Sequence, residues 1–344
     1  MKVNYQLLKR AAQREVVTED QVDQLWNFLE EESSDIPSFR LTHILYYFGG
    51  MIAITAMSLF MNIGWESFGG AGIFLISVAY ACIGVFLTEF FLRQRRLEIP
   101  AGITAAFTVV LVPLAIYGIQ ARFGFWEDGT IYRNYHQYID WRWTIMEVGT
   151  LIAGAVMLTR YRLPFLVMPI AFTLWYMSMD LAPFLTGAEH ASWSDRKMVS
   201  LLFGLLVIGV ALFVEVKART DKDYTFWLYL FGTMAFWSGL STMNSDSEVG
   251  EFFYFSVNVF MILFGAMISR RVFVVFGAIG AFGYVSYLAY DVFENAMLFP
   301  FAMTLIGVSI IYLGIWWQRH EQELSGYLRA RLPESLREAV ERRK

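Results

Sequence analysis

The 344-residue chain contains one cysteine, Cys82, so an intramolecular disulfide is impossible and a cysteine-built metal site is excluded. Charge is scarce too: 17% of residues are charged, against about a quarter in soluble domains. With a net charge of −4 and a pI near 5.7 there is no basic field to attract nucleic acid, and that class of partner is excluded. The histidines are four and scattered, at His43, His136, His190 and His320. Enzymatic signatures are missing: there is no H-E-x-x-H, no G-x-S-x-G, no G-x-x-x-x-G-K and no pair of intramembrane aspartates. The sequence therefore predicts a non-catalytic protein with no cofactor and no catalytic residues. The first forty residues are polar and lack an apolar h-region. The expectation is that no signal peptide is cleaved and that the first spanning helix directs insertion.

What the chain has in quantity is apolar and aromatic surface: 57% hydrophobic residues, with 31 Phe, 18 Tyr and 11 Trp, and a mean hydropathy of +0.46. That profile belongs to an all-α polytopic membrane protein. Apolar segments long enough to span, roughly 17–25 residues each, lie near 42–63, 69–92, 100–121, 143–159, 163–184, 198–216, 225–243, 252–269, 272–290 and 297–317. The chain divides into a helical segment at 1–40, a bundle of about ten helices at 41–318, and an amphipathic tail at 319–344.

The turns between these segments alternate in charge. One set carries Arg93, Arg95 and Arg96, then Arg160 and Arg162, then Lys217, Arg219 and Lys222, then Arg270 and Arg271, and last Arg319. The other carries Glu66, then Glu127, Asp128 and Asp140, then Glu189 and Asp195, then Asp246, Glu248 and Glu251, then Asp291 and Glu294. Under the positive-inside rule the first set is cytoplasmic and so are both termini. Arg122, Arg133, Arg142, Arg196 and Lys197 fall on the other side without reversing the pattern.

In the N-terminal segment Thr18 and Gln21 have capping-box spacing, and Val22, Leu25 and Leu29 form an apolar stripe for a neighbour, the bundle or a protein partner. The tail LPESLREAVERRK reads as a helix opening at Pro333, with a basic end suited to anionic membrane lipid. Internal echoes point to a repeated hairpin. Phe48–Met51 and Phe231–Met234 share Phe-Gly-x-Met, and TRYRLPFLVMPIAF and SRRVFVVFGAIGAF both follow a basic turn and end in Ala-Phe. Parallel hairpin repetition differs from the inverted repeats of many transporters.

The candidate site residues sit towards the acidic-turn side. Asp180, in TLWYMSMDLAPF, lies roughly 27 Å along its helix from Arg162 at about 1.5 Å per residue. Glu147 lies about one turn into the preceding helix, at the same level. A charge at mid-bilayer costs at least ~2.5–3.5 kcal/mol, and less near the interface. The two carboxylates therefore read either as an outward pocket for a cation, an amine or a proton, or as interfacial groups hydrated or paired with Arg142. The loop Arg122 to Trp143 carries Tyr132, Tyr135, Ile139 and Trp143 at helical spacing. It reads as an interfacial helix, or as a lid whose aromatic faces, Trp141 among them, take a cation. His136 and Asp140 are spaced i,i+4, with His190 and Glu189 on the next loop, which makes only a weak metal set. Glu89 and Glu215 stand near basic turns, beside Arg93 and Lys217, where local ion pairing accounts for them. The deepest strongly polar side chain is Asn258, joined by Thr55, Ser58, Ser77 and Ser238.

The segments AAQREVVTEDQVDQLWNFL and HILYYFGGMIAITAMSLF, followed by a multi-helix body, resemble the opening of a family of bacterial inner-membrane proteins known only as a domain of unknown function. The resemblance covers about the first third of the chain. It implies a bacterial cytoplasmic membrane and brings no activity or site residues. The leading functional expectation is a membrane sensor, scaffold or assembly factor with a partner at the N-terminal helices. The alternative is a transporter or channel for a small or lipid-like solute, and an embedded enzyme comes last.

Overall fold

The computed structural model describes residues 5–14, 16–32, 41–64, 68–126, 141–180, 193–217, 222–243 and 248–293, with isolated positions from Phe301 to Arg337. Every regular element among them is a helix. These are α1 (Tyr5–Gln13), α2 (Glu19–Glu32), α3 (Leu41–Gly64), α4 (Gly69–Glu89), α5 (Glu98–Val110), α6 (Val112–Arg122), α7 (Trp141–Tyr161), α8 (Val167–Asp180), α9 (Trp193–Lys217), α10 (Phe226–Thr242), α11 (Glu248–Met267) and α12 (Arg271–Phe293). A π-turn at Phe90–Gln94 follows α4, and a 3₁₀ turn at Pro164–Leu166 precedes α8. Helices occupy the positions of nine expected segments; the tenth, 297–317, lies largely outside the described residues.

Among the described residues, five stretches are long and apolar enough to cross a membrane: Gly69–Gln94, Glu98–Arg122, Ser194–Lys217, Val249–Met267 and Arg271–Leu288. Shorter apolar helices run over Ile44–Ala53 and Pro164–Met179. Large apolar side chains such as Leu75, Phe86, Leu206 and Phe282 stand exposed on the long helices, an arrangement suited to lipid rather than water. The chain is a membrane-embedded helical protein.

The helices form successive hairpins. α4 packs on α5 and α6, α7 on α8, α9 on α10 and α11 on α12, and each hairpin touches the next through α6–α7, α8–α10 and α10–α12. α3 lies at one end of the row, against α5 and α4. The echo seen in the sequence recurs in the backbone. Three basic turns each place one non-glycine residue in the left-handed region: Arg96 (φ 53°), Arg162 (φ 52°) and Ser269 (φ 58°). Such a residue costs on the order of 1 kcal/mol. In return the helix end is closed, as where the Arg270 N–H donates to the Gly265 carbonyl at 2.8 Å.

Small residues let the helices approach. A Cβ on Gly70 would stand 2.6 Å from the Gly118 carbonyl oxygen, and one on Gly204 2.7 Å from that of Gly232. The α4–α6 and α9–α10 contacts are thus backbone against backbone. Polar groups at depth serve as stitches. Thr88 and Thr104 join α4 to α5 at 2.9 Å. Trp175 donates to the Ser200 hydroxyl at 3.2 Å, and Ser200 donates on to the Ala235 carbonyl at 3.1 Å. Asn258, fully buried, accepts from the Trp237 indole at 3.1 Å and donates to the Tyr254 carbonyl at 2.8 Å. Its amide fits because Gly280 has no side chain: a Cβ there would lie 2.0 Å from Asn258 Oδ1. Pro113 marks the junction of α5 and α6, whereas Pro169 sits in the first turn of α8 and interrupts nothing.

The capping box opens α2 as its spacing predicts: the Thr18 N–H donates to Gln21 Oε1 at 3.0 Å and the Gln21 N–H to Thr18 Oγ1 at 3.4 Å. Within the expected stripe, Val22 is buried and Leu25 is 40% exposed. The side chain of Leu29 lies outside the described residues. α1 and α2 pack on each other, which buries Leu8 with Val22 and leaves Leu25 on the open side. Near the C-terminus the Leu336 and Arg337 N–H groups both donate to the Pro333 carbonyl at 3.0 Å, a helical turn opening at the proline.

Candidate functional site

The α6–α7 corner gathers several of the candidate residues. α6 ends in a left-handed Gly124 (φ 70°), which turns Phe125 and Trp126 back onto the bundle. Trp126 becomes buried, with Tyr117 at 5.2 Å between ring centroids and Trp143 edge-on at 6.1 Å. Its indole N–H donates to Gln120 Oε1 at 3.2 Å, and Gln120 Nε2 donates to the Arg142 carbonyl at 3.1 Å. Arg142 closes the corner from the α7 side. Its guanidinium lies 4.5 Å over the Trp126 ring and Nη1 donates to the Phe125 carbonyl. Trp141 is half exposed and meets Phe125 edge-on at 5.6 Å. An aromatic face able to take a cation is therefore already occupied, by the chain's own arginine.

Glu147 is buried, on the same side of α7 as Met146, Thr150 and Gly154. Asp180 is the last residue of α8. Because α7 and α8 form a hairpin closed at Arg162, the two positions come to the same end of adjacent helices. The side chain of Asp180, and His136, Asp140, Tyr132, Tyr135, Ile139, Glu189 and His190 entirely, lie outside the described residues. Among the described residues no group of three or more His, Cys, Asp or Glu gathers in a metal-holding arrangement.

The most developed polar cluster is at the basic turns. Arg270, 6% exposed, sits just before α12 and reaches into the preceding hairpin. Its guanidinium pairs with Glu215 Oε1 and with Asp223 Oδ2, each at 2.8 Å, and donates to the Thr225 hydroxyl. It also lies 4.6 Å over the ring of Tyr229, whose hydroxyl donates to Glu215 Oε2. Asp223 additionally accepts the Phe226 N–H at 3.0 Å and so holds the first turn of α10. Burial works to lower the Arg270 pKa, but hydrogen bonds and charge from Asp223 and Glu215 outweigh it and hold the group above its ordinary value. Glu215 thus pairs across hairpins with Arg270. Lys217, the local partner read from the sequence, instead lies 4.5 Å over the Phe213 ring.

Glu89 does pair locally with Arg93, and it also meets Arg160 at 3.7 Å and accepts from the Tyr161 hydroxyl at 3.0 Å. Lys222 reaches Glu98 at 2.5 Å, and the Tyr224 hydroxyl donates to the Arg162 carbonyl. Each of the four basic turns among the described residues is thereby tied to another. Sequence reasoning missed Arg270, Asp223, Thr225, Tyr229, Gln120 and Trp126. The available signal was that Glu215 and Asp223 bracket a turn belonging to the basic set.

No family model, curated protein or solved structure matches the chain.

Proposed function

We propose that this chain is a non-catalytic integral membrane protein, a sensor, scaffold or assembly factor, with about ten spans and both termini in the cytoplasm. The bacterial cytoplasmic membrane is the home that the N-terminal resemblance implies. The observation that carries the reading is the latch at the basic turns. Buried Arg270, with Glu215, Asp223 and Tyr229, and the Glu89–Arg160 and Glu98–Lys222 pairs bind turn to turn. At the opposite corner Arg142 fills the face of Trp126. Charged groups spent on joining one part of the chain to another suit a rigid body better than a solute path. The capped α1–α2 pair, with Leu25 and Phe28 exposed, is then the docking element. Its removal is the test. Deleting residues 1–35 should abolish recovery of a cross-linked partner while the bundle still inserts, and partners surviving that deletion would sink the assignment.

The burial of Glu147 favours a second reading, a transporter or channel with Glu147 and Asp180 at its gate. Single cysteines at Thr173, Asp180 and Ser256, in a Cys82→Ser background, separate the two. Labelling of Thr173 by an impermeant thiol reagent in intact cells would mean a water path deep into α8 and would favour transport. Protection there together with labelling at Asp180 would leave the scaffold reading ahead.

A further inference from the structure

α3 seats imperfectly on its neighbours, and its double glycine shows where. A Cβ on Gly50 would stand 2.7 Å from Ile103 Cγ2, so Gly50 is the packing glycine, whereas a Cβ on Gly49 would meet nothing within 4 Å. Beside Gly49 lies a cavity of about 580 Å³, walled by Gly49 and Ala53 of α3, Ile83 and Leu87 of α4, and Ile103 and Phe107 of α5. That volume falls within the ~300–1,000 Å³ of ordinary ligand sites. The walls are apolar, with only Tyr46, Tyr80 and Thr104 bringing hydroxyls.

The level of the cavity identifies the occupant. It runs along α3 from Leu45 to Ala56, along the second half of α4 and along α5 from Pro100 to Phe107, so one end of it lies next to the turn joining α4 to α5. That turn carries Arg93, Arg95 and Arg96, all exposed. Leu87 stands ~9 Å along the helix from Arg93 at about 1.5 Å per residue, and Pro100, which also lines the cavity, is one turn beyond Arg96. Arg160 and Arg162 of the next hairpin are exposed at the same end. An apolar slot whose lining residues Leu87 and Pro100 lie one to two helical turns from a turn of arginines matches a ligand with a hydrocarbon chain and an anionic head, since guanidinium groups bind phosphate oxygens through charge-assisted hydrogen bonds.

The geometry points to a binding site for one anionic phospholipid, its acyl chain between α3 and the α4–α5 hairpin and its phosphate on Arg95 and Arg96. The site rests on the membrane reading, with the basic turns at headgroup level.

Native mass spectrometry of the full-length protein, after reconstitution in vesicles of equal phosphatidylglycerol and phosphatidylcholine, tests it. The wild type should retain phosphatidylglycerol in preference. Replacing both Arg95 and Arg96 by Gln should weaken that preference by about thirtyfold, at the worth of two surface cations. Gly49→Leu, whose Cβ would meet nothing within 4 Å, should abolish retention of both lipids, and Ala53→Phe is the second filling variant should the first fail to fold. Equal retention of the two lipids by the wild type, or undiminished phosphatidylglycerol on both filled variants, would overturn the site. So would a disulfide formed, in the Cys82→Ser background, between cysteines placed at Ala53 and at Phe301 or Leu305, because the chain itself would then cover the slot. A chain that fails to enter the membrane fraction would instead defeat the membrane reading.

Discussion

Glu89 and Glu215 hold the same place in two hairpins, at the end of a helix entering a basic turn, yet their surroundings differ. The Glu89 side chain is 27% exposed and its partners Arg93 and Arg160 are 66% and 62% exposed. The Glu215 side chain is 9% exposed and that of its partner Arg270 7%. Exposed pairs contribute about 0–1 kcal/mol, because water screens them and two flexible side chains have to be ordered. In the buried pair each charge has already left water, so removing either partner strands the other. One pair is optional and the other is required, although the residue types are the same.

The comparison breaks most sharply at Arg270. Arg270→Met should cost about 3–5 kcal/mol, read as a large fall in thermal midpoint of the detergent-solubilised protein, and adding Glu215→Leu should recover part of it. Tyr229→Phe keeps the ring beneath the guanidinium and deletes only the hydroxyl that donates to Glu215. It should cost about 1–3 kcal/mol, the range for hydrogen bonds to charged groups and for a buried acceptor left short. Glu89→Gln should cost less than about 1 kcal/mol, an effect that added salt erases; a loss as large as that of Arg270→Met would remove the contrast.

The smallest effect concerns Tyr161. Burial first, then its hydrogen bond to Glu89, raises its pKa, while Arg160 and Arg93 pull the other way. A folded pKa above the unfolded value means that the contribution is whole below the ordinary tyrosine value, about 10, and is lost as pH rises through the folded one. Tyr161→Phe should flatten the alkaline decline in stability, and an unchanged profile would show that this hydroxyl is not coupled to folding.

Much of the fold was legible. Apolar runs gave the helix positions, and Thr18 with Gln21 gave the start of α2, because both signals are local. The shared hairpin corner was legible only as an echo: that Arg96, Arg162 and Ser269 all adopt the left-handed conformation cannot be read from three different side-chain contexts. Arg270 and Arg271 show the limit best. They are chemically identical neighbours, but the turn carries one inward and leaves the other exposed. Of the candidate site, Arg142 was read as a partner for the carboxylates and Trp141 as an aromatic face, whereas Arg142 lies over Trp126 and Trp141 meets Phe125. Their companions Gln120 and Trp126 were not foreseen, since that contact depends on how Gly124 folds the chain back.

The Arg270 latch also has a consequence in time. The ribosome delivers Glu215 and Asp223 before Arg270, so the third hairpin waits at the basic side with two acids whose guanidinium has not yet been made. One of those two negative charges is offset only when the fourth hairpin's corner brings Arg270, which makes that arrival a checkpoint in biogenesis. A chain ended at Met267 should insert its earlier helices and yet be cleared by membrane proteases faster than one ended after α12, a difference that a pulse-chase would read as two half-lives.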